Sequence, residues 1–141
     1  MKIENNELFG FKHKIGLRII FSLPVFIIAI VIFLLSHTPH PEFPKIGIVW
    51  EDKIAHLIAY FIFGGTIILF ILSNSKKLNF KYIAIVSIII GSFYGLSDEF
   101  HQYFIAGRDA EFFDWVADIA GISLSLLLIK TLKNKLIKQY V

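Results

Sequence analysis

The chain has 141 residues, 56% of them hydrophobic and 18% charged, with a mean hydropathy of +0.70. Such a composition excludes a water-soluble domain of this length and calls for a lipid bilayer as solvent. There is room for a single domain. The absence of cysteine excludes disulfides, thiolate metal ligands and a cysteine nucleophile, and leaves histidines and carboxylates for any chemistry. The pI is about 9.1, but the basic residues do not gather on a polar surface that could follow a phosphate backbone, so no nucleic-acid partner is expected.

Four apolar segments follow one another: Ile19 to Ser36, Ile54 to Leu72, Tyr82 to Ser97, and Phe112 to Ile129. Each is near the ~20 residues that a helix needs to cross ~30 Å of hydrocarbon, which predicts an all-α integral membrane bundle of four transmembrane helices. The first segment follows Lys12, Lys14 and Arg18 as a signal peptide would. Its apolar run exceeds the usual length, however, and Ser36-His37-Thr38-Pro39 is no small-residue cleavage site, so it reads as an uncleaved anchor. Pro24 sits early in it, where a kink is tolerable. Pro39, Pro41 and Pro44 predict an extended loop from His37 to Lys53, and Ser73 to Lys77 a polar turn. The divisions are a basic N-terminal tail over 1–18, a four-helix domain over 19–130, and a basic C-terminal tail over 131–141.

Charge sets the expected orientation. Eleven of the fourteen Lys and Arg residues fall on the side that holds both termini and the 73–81 turn; Lys45, Lys53 and Arg108 fall on the other, together with nine of the eleven acidic residues. The excess of basic residues marks the cytoplasmic side, so both termini are expected inside. The Lys130 to Lys138 stretch reads as a solvated tail facing lipid headgroups.

The outer ends of helices two, three and four carry most of the polar residues. Asp52, His56 and Tyr60 are spaced by four and form one stripe. Tyr94, Asp98 and then His101 or Gln102 repeat that spacing with Glu99 beside them, and Asp114, Asp118, Gly121 and Ser125 do so on the last helix. At 1.5 Å per residue from the cytoplasmic ends, Tyr60, Tyr94 and Asp118 lie about 16–18 Å up, with His56, Asp98 and Asp114 about one turn higher. The third helix is expected to continue through Phe104. Ionisable groups at this depth face a bundle interior or a wet pocket. The acidic residues outnumber Arg108, the one strong cation expected near them, which is suited to pair with a carboxylate or a phosphate. On this reading Asp98, Arg108 and Asp118 share one pocket, and Arg108 folds back over the helix ends.

Plainer roles stand beside these. Trp50, Tyr103 and Trp115 read as interfacial belt residues, and His37 and His40 as surface residues. Glu51 and Asp52 suit a helix N-terminus. His56, Asp98, Glu99, Arg108 and Asp118 fit either a buried network that sets helix packing or a functional site. The hydroxyl of Ser97 is accounted for by bonding to its own helix.

The order Asp52-Lys53-x-x-His56-x-x-x-Tyr60, Tyr94-Gly95-x-x-Asp98-Glu99-x-His101-Gln102, Gly107-Arg108, Asp114 and Gly121 resembles the VanZ-like family of bacterial membrane proteins. The likeness runs from about Asp52 to Ser125, with the first helix matching only as a hydrophobic segment. The resemblance implies a multi-pass protein of the bacterial cytoplasmic membrane and a link to resistance against the glycopeptide teicoplanin; it brings no reaction with it. Hallmark positions match Asp52, His56, Tyr60, Asp98, Glu99, Gln102, Arg108, Asp114 and Gly121. Ala106 stands where the family usually has Pro, and Asp118 where it usually has Asn.

Three functions are compatible with these residues. One is an envelope protein whose outer pocket binds a membrane lipid, a lipid-linked envelope precursor or a glycopeptide. Another is a metal-dependent enzyme acting on an envelope lipid, with His56, Asp98, Glu99 and His101 as ligand types; neither HExxH nor G-x-S-x-G is present. A proton or cation relay ranks last, because the acidic stripes stop about 16 Å short of the cytoplasmic face. No cofactor is named by the sequence.

Overall fold

The computed structural model describes residues 4–39, 50–74 and 79–140, with side chains over 19–20, 22–39, 50–74 and 79–131. Helix α1 spans Glu4–His37, α2 Glu51–Asn74, α3 Phe80–Gln102 and α4 Phe112–Tyr140. Each apolar segment falls inside one of them, because a backbone in hydrocarbon must satisfy its own polar groups. The helices outrun the apolar segments. Helix α1 begins well before Ile19 and α4 continues past Ile129, since Lys, Leu, Glu and Gln prolong a helix readily. Helix α3 ends at Gln102 with Tyr103 as its C-cap, two residues short of Phe104, and starts at the N-cap Asn79, whose Oδ1 accepts from the Lys81 amide. The expected loop from His37 to Lys53 is shorter at both ends, with His37 in α1 and Glu51 to Lys53 in α2, and Ser73 and Asn74 of the expected turn belong to α2; 40–49 and 75–78, with His40, lie outside the described residues.

Among the described residues, three helical stretches are long and apolar enough to cross a membrane: Glu51–Asn74, Phe80–Gln102 and Phe112–Thr131. Helix α1 contributes the apolar stretch Ser22–His37. Large apolar side chains such as Phe26, Ile58, Ile62, Phe93 and Leu127 are exposed on the outside, while a band of Phe63, Ile67, Ile68, Ile122 and Leu126 fills the centre. The product is an all-helical membrane bundle.

Successive helices run antiparallel, so that α1 and α3 end where α2 and α4 begin. The most extensive interface is between α2 and α4, and α1 does not meet α4 among the described residues. Glycine explains the first of these facts. A Cβ on Gly121 would lie 2.4 Å from the Leu57 carbonyl oxygen and 2.7 Å from the Phe61 nitrogen, and one on Gly64 would lie 2.9 Å from the Ile122 Cα. The two backbones touch reciprocally, as membrane helices do when small residues face each other.

Candidate functional site

The polar stripes converge at the end of the bundle where α2 and α4 start. Helical spacing puts His56 and Tyr60 on the buried face of α2, Asp98, Glu99 and Gln102 on that of α3, and Asp114 and Asp118 on that of α4. Asp52 stays at the mouth, its side chain 53% exposed.

A cleft of about 60 Å³ opens here, lined by Ile32, Leu35 and Ser36 of α1, by Asp52, His56 and Tyr60 of α2, and by Asp98, Gln102 and Arg108 beyond. It has an apolar wall and a polar one, and room for a few waters or one small polar group.

Each acidic group has a different environment. Asp98 Oδ2 accepts from Ser36 Oγ at 2.8 Å and from Gln102 Nε2 at 3.1 Å. Asp114 is paired with Lys53, whose Nζ lies 3.0 Å from Oδ1 and also bonds Glu111. Asp118 Oδ1 faces His56 Nδ1 at 2.9 Å. Glu99 is held through Oε2 by the Glu111 amide at 2.8 Å, and its Oε1 stands 4.0 Å from His56 Nδ1. Gly95 makes the space for Asp118, since a Cβ there would come within 2.6 Å of Oδ2. Among the described residues, Glu99 Oε1, Asp118 Oδ2 and the Tyr60 hydroxyl are buried without a hydrogen-bond partner.

Arg108 does line the cleft with Asp98, but it pairs with no carboxylate among the described residues, and Asp118 lies behind His56 rather than on the lining. Its Nε donates to the Thr38 carbonyl at 3.2 Å and its Nη2 to the Leu35 carbonyl at 2.7 Å. The C-terminal end of α1 exposes carbonyls that lack intrahelical donors, and a guanidinium satisfies them well. Gly107, at φ 80°, lets the loop turn back so that Arg108 reaches them. Lys53 supplies the cation to Asp114 and Glu111 that the sequence reading sought in Arg108.

His101 does not join His56, Glu99 and Asp118. It stacks on Phe33 at 4.8 Å and meets His37 Nδ1 through Nε2 at 3.2 Å. His37 is exposed, yet it is part of that stack. Tyr94 turns to α1 and donates to the Ala29 carbonyl at 2.5 Å. The depth count put His56 one turn above Asp118, whereas the two side chains meet; the helices extend beyond the apolar stretches from which the count began. Trp115, read as a belt residue, is half-buried and donates from Nε1 to the Ser92 carbonyl at 3.1 Å, while Trp50 and Tyr103 are exposed. Ser97 donates to the Tyr94 carbonyl of its own helix at 2.7 Å.

Lys53, Ser36 and Glu111 are the site residues that sequence reasoning passed over. Lys53 stands inside the quoted Asp52-Lys53 motif, and Ser36 is the polar residue that closes the first apolar run; both were visible, but neither spacing names a partner on another helix.

The architecture and the cleft together describe a small helical membrane protein with a polar site at one end. The VanZ/LLP1 family model matches residues 21–133, and the chain belongs to the VanZ-like family. An uncharacterized protein of Schizosaccharomyces pombe is 30% identical over 109 residues, which are 77% of this chain and 65% of the relative. The chain thus spans slightly less than two thirds of that relative's length. No solved structure matches.

Proposed function

We propose that the cleft binds the phosphate-bearing headgroup of a lipid or lipid-linked molecule, while its acyl chains lie along the exposed apolar faces of α1 and α2. The mixed lining supports this: apolar Ile32 and Leu35 together with Arg108, His56, Gln102 and the carboxylates of Asp52 and Asp98, at a helix end of a membrane bundle. A guanidinium has five N–H groups, and two of those on Arg108 are used by carbonyls among the described residues; the others suit a phosphate. Asp52 at the mouth suits an ammonium, so a zwitterionic headgroup fits better than a purely anionic one. The distribution of Lys and Arg supports a cleft that faces away from the cytoplasm, with both termini on the cytoplasmic side of a bacterial cytoplasmic membrane. A lipidated glycopeptide such as teicoplanin, or a lipid-linked wall precursor, is a ligand of the same kind. A relative in a yeast favours a lipid common to both kinds of cell.

The test is thermal melting of the detergent-purified full chain with short-chain phosphatidylethanolamine, phosphatidylglycerol or diacylglycerol. Phosphatidylethanolamine is expected to raise the melting point most, by roughly 5 °C at saturation, and diacylglycerol not at all, with the shift lost in Arg108→Ala. Equal shifts from all three would refute headgroup recognition.

A further inference from the structure

We propose that His56, Glu99 and Asp118 hold one divalent first-row transition-metal cation behind the lipid cleft, and this holds whether or not the cleft takes a lipid. The three side chains come from α2, α3 and α4. One ligand atom from each lies within 4.8 Å of the others. The His56 Nδ1 separations are 2.9 Å to Asp118 Oδ1 and 4.0 Å to Glu99 Oε1. A cation about 2.1 Å from each donor would set neighbouring donors about 3 Å apart and opposed ones about 4 Å apart, so the side chains need little movement to close around it.

Glu99 is oriented toward such a cation. It is 8% exposed; the Glu111 amide fixes Oε2, and Oε1, aimed at His56, has no hydrogen-bond partner among the described residues. A carboxylate oriented through one oxygen with the other left for a cation is the arrangement that outer contacts give metal ligands. Charge points the same way. Lys53 is taken by Asp114 and Glu111 and Arg108 by the end of α1, so two buried carboxylates face one imidazole. One dication with a neutral imidazole balances both, and buried charges need such balance. The alternative set of Asp52, His56 and Asp114 already has a counter-charge in the Lys53 ammonium, 3.0 Å from Asp114 and 3.7 Å from Asp52.

A single imidazole with two carboxylates suits Mn²⁺, Fe²⁺ or Zn²⁺ over Mg²⁺ or Ca²⁺. Because His56 also lines the cleft, the cation would add positive charge beside the headgroup site.

The experiment uses the detergent-purified full chain, stripped with chelator and titrated with Mn²⁺ or Zn²⁺ alone, with no lipid added. We expect one cation per chain by elemental analysis, a melting point raised by the metal, and a Mn²⁺ electron-spin-echo signal from a coordinated imidazole nitrogen. Glu99→Gln keeps the acceptor for the Glu111 amide and Asp118→Asn keeps one for His56, so both variants should fold. Each should bind at least tenfold more weakly, with no fall in melting point of the stripped protein. Stoichiometric binding absent from the wild type, or retained undiminished in both variants, overturns the site; if neither variant folds, the nitrogen signal in the wild type decides. Lipid-induced melting shifts, measured separately on the stripped protein, report on the cleft and not on this site.

Discussion

Helices α4 and α1 both pack on α2, and they are held in place by different means. Helix α4 lies against α2 with backbone touching backbone at Gly121 and Gly64, and no oil-water preference is needed where lipid is as apolar as leucine. Helix α1 presents large side chains to the outside along much of its described length. Its C-terminal half is tied by polar contacts to α3 and the loop that follows it: Ala29 to Tyr94, Ser36 to Asp98, Leu35 and Thr38 to Arg108. A close backbone contact has no slack, whereas a few hydrogen bonds can open and re-form. The cleft lies where the hydrogen-bonded helix α1 meets α2 and α3, away from the close contact between α2 and α4.

Gly121→Ala should break the comparison most forcefully. The new methyl group meets the Leu57 carbonyl and the Phe61 amide, and neither can rotate away, so a cost of about 3 kcal/mol or more is expected. It should appear as a sharply lower melting point, or failure to purify as a monodisperse species. Gly65→Ala is the matched control on the same pair of helices: nothing lies within 4 Å of its Cβ position, and the change should stay within about 0.5 kcal/mol. If both glycine variants melt alike, the α2–α4 contact is not as close as described.

Smaller effects should follow at the α1 seam. Ser36→Ala removes one of the two donors to Asp98 and should cost about 1 kcal/mol. Arg108→Ala, which frees the end of α1, should cost about as much. Hydrogen exchange should show loss of protection in the C-terminal half of α1 for both variants, with α4 unchanged; equal loss in α4 would mean that the two helices are not held independently. The smallest of these is Trp115→Phe, which keeps the ring but loses the bond to Ser92, expected at or below about 1 kcal/mol in a melting curve.

The sequence by itself determined the number of helices, the apolar core of each and which residues form a polar stripe, since helical periodicity and the length of hydrocarbon to be crossed are local constraints. It also showed the family through separated motifs from Asp52 to Gly121. The choice of partners was decided by tertiary structure alone. Arg108 and Lys53 are both cations near an acidic end, and no spacing in the chain tells which one meets Asp114 and which one caps α1. His101 and His56 belong to similar motifs, yet one stacks on Phe33 while the other faces Asp118. These outcomes depend on how far α2 and α4 approach each other and on the turn at Gly107, which are distances between helices, and periodicity along one helix carries no information about them.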